Sequence, residues 1–184
     1  PRNTLLVGAA GRLDSQKRFD RYLRIADDLA RGGIDAQFVL FGDGAELESL
    51  RVQHAATGLG DRFRFGGFCE DFAARAGDLD LFLLTSENEG TPNVLLEAMA
   101  RGVPCLAFEV GAVPEILTGA CAEALVPAAD EQEMTARAGL LLRDREAARR
   151  LGEAQASRVN EELTLDASMR EYERLLLALA GRTA

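Results

Sequence analysis

Two glutamates flank the start of an apolar helical segment, and their spacing suggests a site for a polar ligand. Glu89 and Glu97 are the ends of the run Glu-Gly-Thr-Pro-Asn-Val-Leu-Leu-Glu. We predict that a helix begins inside this run, with Thr91 as its N-cap and Pro92 at its first helical position, where proline's missing N–H costs nothing. The first N–H groups of a helix have no partner within it, and the helix dipole is positive there. The segment between the two glutamates therefore predicts a phosphate-binding site.

The backbone at this helix start would supply the hydrogen-bond donors. Gly90 lets the chain approach a ligand without an intervening side chain, and we expect Asn93 and Val94 to offer free backbone N–H groups. The carboxylates of Glu89 and Glu97 would repel a phosphate, so we expect them to accept hydrogen bonds from neutral hydroxyl groups on either side of it. A sugar and a ribose would satisfy both. A helix with an acid near its first turn and a surface Glu97 would explain the same spacing without a ligand.

Two cations lie in the segment that precedes the first long helix. Arg12 and Lys17 belong to the run Gly-Arg-Leu-Asp-Ser-Gln-Lys, which begins at Gly11. Positive side chains near the N-terminus of a helix oppose the helix dipole unless an anion lies nearby. A diphosphate would remove this conflict, because Arg12 could bind it through two parallel hydrogen bonds and Lys17 could act as a point charge. Solvated loop charges are the alternative interpretation.

The elements that must position these residues alternate between strand and helix. Each short apolar run predicts a strand that leads into a loop and then a helical segment, and the strands fall at 3–9, 37–41, 62–65, 80–84, 103–108 and 123–126. Apolar strands that alternate with helices predict an α/β fold, a doubly wound parallel sheet (Rossmann-like) of about six strands. Ligands of such sheets bind at the loops that leave the C-terminal ends of the strands. The glycine loops of this sequence follow its strands.

The last third of the chain predicts helices without strands, from Glu131 onward. It ends in a helix whose apolar residues recur at helical spacing: Leu165, Met169, Tyr172, Leu176 and Leu179. We therefore divide the chain into an α/β domain, residues 1–160, and a C-terminal helix, residues 161–184, with a packing surface of its own.

The composition limits what the chain can bind. Its net charge is −9 and it has no lysine and arginine cluster, so we expect neither nucleic acid nor an anionic membrane as a partner. The three cysteines, Cys69, Cys105 and Cys121, are odd in number and lack metal-ligand spacing, so we expect reduced, buried thiols and no metal site. Reduced thiols in turn indicate a cytoplasmic location. No apolar run is long enough to span a membrane, and nothing resembles a signal peptide. Because the chain starts at Pro1, we expect it to be part of a longer protein.

The order of the motifs resembles a known family. The chain contains, in sequence, Gly11-Arg12-Leu13 with Lys17, Gly42-Asp43-Gly44, Gly66, the segment 86–97, Ala98-Met99-Ala100, Gly102-Val103-Pro104 and Pro114-Glu115. Over roughly residues 4–160 this combination resembles the C-terminal domain of the family 4 glycosyltransferases, which have the GT-B fold. Two positions depart from the family pattern. Arg18 follows Lys17 where glycine is usual, and Gly111-Ala112 replaces a common Gly-Gly pair.

The resemblance implies a role for each motif. Arg12 and Lys17 would hold the diphosphate of a nucleoside diphosphate sugar, with help from Gly11 and from the backbone of residues 90–94. Glu89 would contact the donor sugar and Glu97 the ribose hydroxyls. The loop near Gly66 would frame the base.

The implied reaction is the transfer of a sugar, with retention of its anomeric configuration, to an acceptor hydroxyl in polysaccharide or glycolipid biosynthesis. Arg12, Lys17 and Glu89 are the expected catalytic residues, because the two cations would stabilise charge on the departing diphosphate while Glu89 orients the sugar. We expect no cofactor or metal, with a UDP-sugar as the default donor and a GDP-sugar as the alternative. The acceptor would bind a missing N-terminal domain, against which residues 161–184 would pack and which could attach the enzyme to the inner membrane face. The isolated chain would then be inactive.

Two other functions stay open. A sugar-nucleotide epimerase of GT-B fold would use a similar donor half, and a non-catalytic nucleotide-binding module would explain the sheet but not the four charged residues. The lone histidine, His54, is expected to be a surface or packing residue. Glu115 could cap the short helix that follows Pro114 or face the sugar.

Overall fold

The computed structural model describes residues 4–180, so the outermost parts of the predicted first strand and of the predicted C-terminal helix lie outside the described residues. Its centre is a parallel sheet of six strands in the order β3-β2-β1-β4-β5-β6. The strands are β1 (Leu5–Ala10), β2 (Ala36–Phe41), β3 (Phe63–Gly67), β4 (Leu81–Leu84), β5 (Cys105–Phe108) and β6 (Leu125–Val126). The predicted α/β fold with a doubly wound parallel sheet is confirmed.

The described part of the chain contains eight α-helices. They are α1 (Phe19–Arg31), α2 (Leu47–Ala55), α3 (Phe72–Ala76), α4 (Asn93–Ala100), α5 (Val113–Ile116), α6 (Glu131–Arg143), α7 (Arg145–Glu162) and α8 (Leu165–Ala180). α1 packs against α2 and α6, whereas α4 packs against α3 and α7. Between β6 and residue 180 the regular elements are all helices, as the sequence predicts.

Two neighbouring strands, β4 and β5, are buried over their whole length, which explains their uniformly apolar sequences. α1 adds an apolar face on which Phe19, Leu23, Ala26 and Leu29 are buried, as their helical spacing predicts. Complete burial of a large apolar side chain contributes about 1.5–3 kcal/mol. The core therefore fixes the C-terminal ends of β1 and β4, from which the candidate site loops start.

The sheet reverses its winding direction between β1 and β4. β1 pairs with β2 on one side and with β4 on the other, so the chain adds strands first in one direction and then in the opposite one. At such a switch point the loops that leave the two strands diverge and open a crevice, which is the usual ligand site of an open α/β sheet. The loop after β1 carries Arg12 and Lys17, and the loop after β4 carries Glu89.

One buried polar side chain takes the place of a strand residue. β5 pairs with the short β6 only from Ala107 onward, so β6 does not reach Cys105. Gln155 of α7, which is 0% exposed, fills this position, because its Oε1 accepts from the Cys105 N–H at 2.8 Å and its Nε2 donates to the Cys105 C=O at 2.9 Å. α7 comes this close because residue 152 is a glycine, where a Cβ would lie 2.1 Å from the carbonyl oxygen of Gly102.

The apolar side chains of α8 are uncovered. They are between 52% and 76% exposed: Leu165, Met169, Tyr172, Leu175, Leu176, Leu177 and Leu179. α7 in contrast is held to the domain, since Arg158 Nε donates to the Ile116 carbonyl at 2.8 Å. The predicted boundary at residue 160 falls near the end of α7, and the packing of α8 on another domain stays a prediction. No helix in the described part of the chain is both long and apolar enough to cross a membrane.

Candidate functional site

An ion pair joins the loops that follow β1 and β4. Lys17 Nζ donates to Glu89 Oε1 at 2.7 Å and to Glu89 Oε2 at 2.9 Å. The Glu89 side chain is 5% exposed and the Lys17 side chain 20% exposed. Removing one partner of a buried ion pair costs about 3–5 kcal/mol, because the other charge is left uncompensated. The sequence predicts both residues in one site, but their direct contact is a finding of the structure.

A second partner of Glu89 was not among the predicted site residues. Ser86 follows the end of β4, is 1% exposed, and its Oγ donates to Glu89 Oε1 at 2.5 Å. The only signal in the sequence is its position at the start of the segment 86–97. A serine after a strand is also common in ordinary turns, so that signal could not assign it to the site.

Hydrogen bonds to backbone groups hold the same two loops together. The Glu87 N–H donates to the Gln16 carbonyl at 2.8 Å, and Gln16 Nε2 donates to the Asn88 carbonyl at 2.8 Å. Thr85 Oγ donates to the Lys17 carbonyl at 3.3 Å. These bonds fix the backbone on both sides of the ion pair. The orientation of Lys17 and Glu89 therefore depends on the backbone of the two loops as well as on the side-chain rotamers.

The loop after β5 approaches the backbone of Glu89 from another side. The Ala112 N–H donates to the Glu89 carbonyl at 3.0 Å. Gly111 has φ 52°, and a Cβ there would lie 1.9 Å from the same carbonyl oxygen, so no other residue fits without displacing the loop. Ala112 has φ −84°, which any residue adopts. The departure from the family's Gly-Gly pair therefore falls at the position that does not need glycine.

α4 begins one residue later than predicted. Pro92 is its N-cap with φ −76° and ψ 83°, and the Asn93 N–H donates to the Thr91 carbonyl at 3.0 Å. These dihedrals and this bond form an inverse γ-turn centred on Pro92. The prediction of Thr91 as N-cap and Pro92 as the first helical residue is wrong, because the fixed φ of proline suits both a helix start and this turn, and ψ selects the turn.

The turn decides which backbone groups at this helix start can bind an anion. Its hydrogen bond uses the Asn93 N–H, so the expected free donor at Asn93 is not there. Among residues 4–180, the backbone N–H groups of Gly90, Thr91 and Val94 have no hydrogen-bond acceptor. Three donors therefore remain beside Glu89, at the positive end of the α4 dipole.

Arg12 lies at the surface. Its side chain is 77% exposed, and its Nε donates to Asp14 Oδ2 at 2.7 Å. This hydrogen bond is the main cause that lowers the pKa of Asp14. An exposed pair of this kind contributes about 0–1 kcal/mol, so an anion could replace Asp14 as the partner of Arg12 at little cost.

A cavity of about 430 Å³ lies where β1, β2 and β3 end. Gly11, Arg12 and Val94, three of the predicted site residues, line it. Gly66 shapes its wall indirectly, because a Cβ there would lie 2.7 Å from the ring of Phe41. The sequence did not predict the apolar lining residues Phe41, Phe68, Cys69 and Phe72. An aromatic residue near a strand end is more often part of the core, so its residue type carried no signal.

Glu97 is half-buried on α4, one turn beyond Val94 and so on the same helix face. Within the described residues its carboxylate accepts no hydrogen bond. Burial, and secondly the charge of Asp71, raises the pKa of Glu97. A carboxylate with open acceptor positions can bind hydroxyl groups of a ligand that reaches the cavity.

Arg18 adopts the left-handed conformation, with φ 49° and ψ 46°. Glycine, which the family pattern has here, takes this conformation without strain, whereas other residues pay about 1–2 kcal/mol. The guanidinium donates to both carboxylate oxygens of Asp20 at 3.0 Å and lies 3.7 Å from Glu87. Burial alone would raise the pKa of Asp20, but hydrogen bonds from Arg18 and Arg24 outweigh it and lower the pKa to about 2.

His54 and Glu115 lie apart from these contacts. His54 Nε2 is 3.1 Å from the Gly60 carbonyl oxygen, and its ring centroid is 5.2 Å from that of Phe63, which confirms a packing role. Glu115 is exposed, and no side chain caps the helix α5. The capping alternative for Glu115 is therefore wrong, and its contact with a sugar stays a prediction.

All three cysteines are free thiols, as predicted. Cys105 and Cys121 are buried, and burial raises the pKa of both. Cys69 is half-buried at the cavity wall instead of fully buried. Within residues 4–180 no three His, Cys, Asp or Glu side chains are grouped as a metal site requires.

Comparison with known proteins gives a family match over most of the chain. Residues 1–158 match the family model described as Glycosyl transferases group 1. N-acetyl-alpha-D-glucosaminyl L-malate synthase from Bacillus anthracis is 34% identical over 140 residues, which are 76% of this chain and 37% of that protein. A GDP-mannose-dependent alpha-(1-6)-phosphatidylinositol dimannoside mannosyltransferase from Mycobacterium tuberculosis is 36% identical over 129 residues, 67% of this chain and 32% of that protein.

A solved structure shares the fold. A mutant of S. aureus TarM in complex with Fondaparinux, alpha-GlcNAc-glycerol and UDP superposes with a TM-score of 0.85 at 18% identity, covering 95% of this chain and 36% of that one. At this identity the likeness concerns the fold. The chain spans less than two fifths of the length of these proteins.

Proposed function

The chain belongs to the group 1 glycosyl transferases, and from this membership we propose that it is the donor-binding half of a retaining, family 4-like enzyme. The enzyme transfers a sugar from a nucleoside diphosphate sugar to an acceptor hydroxyl, in polysaccharide or glycolipid biosynthesis. The donor is bound by this chain, and the acceptor by the part of the protein outside it.

The Lys17–Glu89 pair carries this proposal. It lies between the loops that leave β1 and β4, where the sheet reverses direction, and it combines a cation with a buried carboxylate. An ion pair that only stabilises the core could lie anywhere in the fold, whereas ligands of open α/β sheets bind at this switch point. A cation and a carboxylate together suit a ligand with a negatively charged part and a hydroxylated part. Lys17 suits the diphosphate of such a ligand and Glu89 the hydroxyl groups of its sugar.

The groups around the pair supply the rest of a diphosphate site. The free backbone N–H groups of Gly90, Thr91 and Val94 lie beside Glu89 at the start of α4. Arg12 lies on the opposite loop, and its exposed side chain can exchange Asp14 for a phosphate oxygen. These donors would stabilise the charge that grows on the departing diphosphate, and the loss of one such donor typically slows a reaction about 10²–10³-fold.

The cavity beside Val94 would take the nucleoside. Phe41, Phe68 and Phe72 give it apolar walls that suit the face of a base. Glu97, on the same face of α4 as Val94, would accept from the ribose hydroxyls. UDP is our default nucleotide, in keeping with the UDP bound to the S. aureus TarM mutant, and GDP is the alternative, in keeping with the GDP-mannose-dependent mycobacterial mannosyltransferase.

The chain would act together with a second domain. We propose that the exposed apolar side chains of α8 pack against that domain, which would also place the acceptor against the donor sugar. The isolated chain would bind nucleotide without transferring sugar. Free thiols favour a cytoplasmic site of action, with any membrane attachment made through the other domain.

Nucleotide binding by the 184-residue chain tests the proposal. Isothermal titration with UDP and GDP should show binding of at least one of them. The Arg12→Ala variant should bind about tenfold more weakly, because it loses charge-assisted hydrogen bonds to the diphosphate. Arg12 is the better choice than Lys17 for this substitution, since its removal leaves no buried charge unpaired.

A matched control is Arg31→Ala, an equally exposed arginine at the far end of α1, which should leave the affinity unchanged. The position of the nucleotide is read from Cys69, because a maleimide should modify this half-buried thiol before the two buried ones. Bound UDP or GDP should slow that modification. No binding of either nucleotide, or binding that does not protect Cys69, would contradict the proposed site.

A further inference from the structure

Ser86 has no part in the proposed function so far, although it touches the central carboxylate. We propose that Ser86 is a positioning residue that holds the Glu89 carboxylate in the orientation that binds the donor sugar. This inference rests on the proposed function and names a residue that determines how the same site recognises the sugar.

The two partners of Glu89 differ in mobility. Lys17 has a long side chain with rotatable bonds along its whole length, and it is partly exposed. Ser86 has a short side chain on a buried segment that continues β4, and it is 1% exposed. The lysine can move toward a ligand, whereas the serine hydroxyl stays where the backbone places it.

Lys17 has to serve two anions once the diphosphate is bound. In the structure its ammonium group donates to both oxygens of Glu89. An ammonium group has three donors, so a diphosphate can be reached only with the remaining donor or by giving up bonds to Glu89. Glu89 stays buried while its cation is shared. The hydrogen bond from Ser86 is then the contact that does not depend on the position of Lys17.

The hydrogen bonds also leave one oxygen less occupied than the other. Glu89 Oε1 accepts from both Lys17 and Ser86, whereas among residues 4–180 Oε2 accepts only from Lys17. A carboxylate has about four acceptor positions, so Oε2 has an open one. Because its hydroxyl binds Oε1, Ser86 prevents the carboxylate from rotating about the Cγ–Cδ bond of Glu89. The open acceptor position of Oε2 then stays available to a sugar hydroxyl.

The test compares a nucleotide with its sugar conjugate. We would measure the dissociation constants of UDP, UDP-glucose, UDP-N-acetylglucosamine, GDP and GDP-mannose with the 184-residue chain. Ser86→Ala should weaken the sugar conjugates about tenfold relative to the nucleotide alone, because the sugar loses an oriented acceptor. The dissociation constant of the nucleotide itself should stay within twofold. A purely structural role would weaken both classes together.

Thr85→Val is the matched control. Thr85 is as buried as Ser86, and its hydroxyl donates to the Lys17 carbonyl instead of to Glu89. Because its hydroxyl acts on the Lys17 backbone and not on Glu89, this variant should weaken the nucleotide and its sugar conjugate to the same extent and so keep the wild-type ratio between them. In a Glu89→Gln background, Ser86→Ala should have a smaller effect on that ratio, since residues that act through one another are not additive.

The outcomes separate this inference from the proposed function. If the wild-type chain binds none of the five ligands, the proposed function fails and this inference with it. If it binds them and Ser86→Ala weakens nucleotide and conjugate equally, or neither, only this inference is overturned. If Ser86→Ala does not fold, Ser86→Cys keeps a side chain of similar size with a weaker donor. It must then weaken the conjugates selectively, and an unchanged ratio overturns the inference.

Discussion

The charged residues of the candidate site differ in the number of their hydrogen-bond and ion-pair partners. The Glu89 carboxylate is paired with Lys17 and Ser86, whereas the Glu97 carboxylate accepts no hydrogen bond within the described residues. Arg12 is paired with the nearby Asp14. A diphosphate would therefore have to share or displace contacts of Lys17 and Arg12, whereas a hydroxyl group displaces no contact at Glu97. Binding of the ribose should cost the protein less rearrangement than binding of the diphosphate.

Arg18 gives a prediction about stability. Its left-handed backbone favours glycine, whereas alanine would keep the strain, and both substitutions remove the same contacts with Asp20 and Glu87. Arg18→Gly should therefore be more stable than Arg18→Ala by about 1 kcal/mol, after the larger chain entropy of glycine in the unfolded state is included. Urea unfolding of the two variants at neutral pH measures the difference.

The comparison between the two variants is itself the control, because the lost ion pairs cancel. Equal stability, or a more stable Arg18→Ala, would mean that residue 18 leaves the left-handed conformation once its guanidinium is removed.

The sequence predicted site residues by type, but not their contacts with one another. Lys17 and Glu89 are 72 residues apart along the chain, and no local pattern connects them. Ser86 and the cavity phenylalanines were missed because a serine after a strand and an aromatic residue at a strand end have common structural explanations. The departure at Arg18 could be noticed in the sequence, but its physical meaning required the backbone dihedrals.

At the scale of elements, strands and helices could be predicted where the burial of apolar side chains dominates their formation. β4 and β5 are short, apolar and buried on both faces, so their composition is sufficient. The start of α4 could not be predicted, because proline suits both a helix start and an inverse γ-turn. The pairing of β1 with β4 was also beyond the sequence, since it joins strands that are distant along the chain.

The link between α7 and β5 gives a prediction at this scale. Gln155→Ala should leave the N–H and the C=O of Cys105 without partners in a buried position. Each unsatisfied group costs about 1–3 kcal/mol, so with two such groups the variant should lose about 2–6 kcal/mol of unfolding free energy. Chemical denaturation followed by circular dichroism measures the loss.

Gln132→Ala is the matched control, because Gln132 lies exposed on α6 and should change the unfolding free energy by less than about 0.5 kcal/mol. A loss of similar size in both variants would contradict the assigned role of Gln155. Native-like stability of Gln155→Ala would show that water or a rearranged β6 can replace the glutamine.

At the scale of the whole molecule, α8 is the helix whose apolar side chains the described part of this chain leaves exposed. Leu176 is 64% exposed, so Leu176→Lys should change the stability of the 184-residue chain by less than about 0.5 kcal/mol. In the full-length protein the same change would put a charge into the proposed contact with the second domain. Amide hydrogen exchange of α8 in the full-length protein should then become faster, and transferase activity should fall.

Leu140→Lys serves as the control, since Leu140 is equally exposed but lies on α6. It should affect neither the exchange of α8 nor the activity. Rapid exchange of α8 in the wild-type full-length protein would contradict the proposed packing before any variant is made.

The meeting of Lys17 and Glu89 across the β1–β4 boundary has a consequence for synthesis on the ribosome. A nascent chain that has been made as far as Gly67 contains the sequences of β1, β2 and β3 but not that of β4, so the edge of β1 that pairs with β4 has no partner yet. Glu89 arrives only when β4 docks on that edge. Under the proposed function the nucleotide site is therefore incomplete until the winding has reversed, and nucleotide binding would mark a chain that has passed this step.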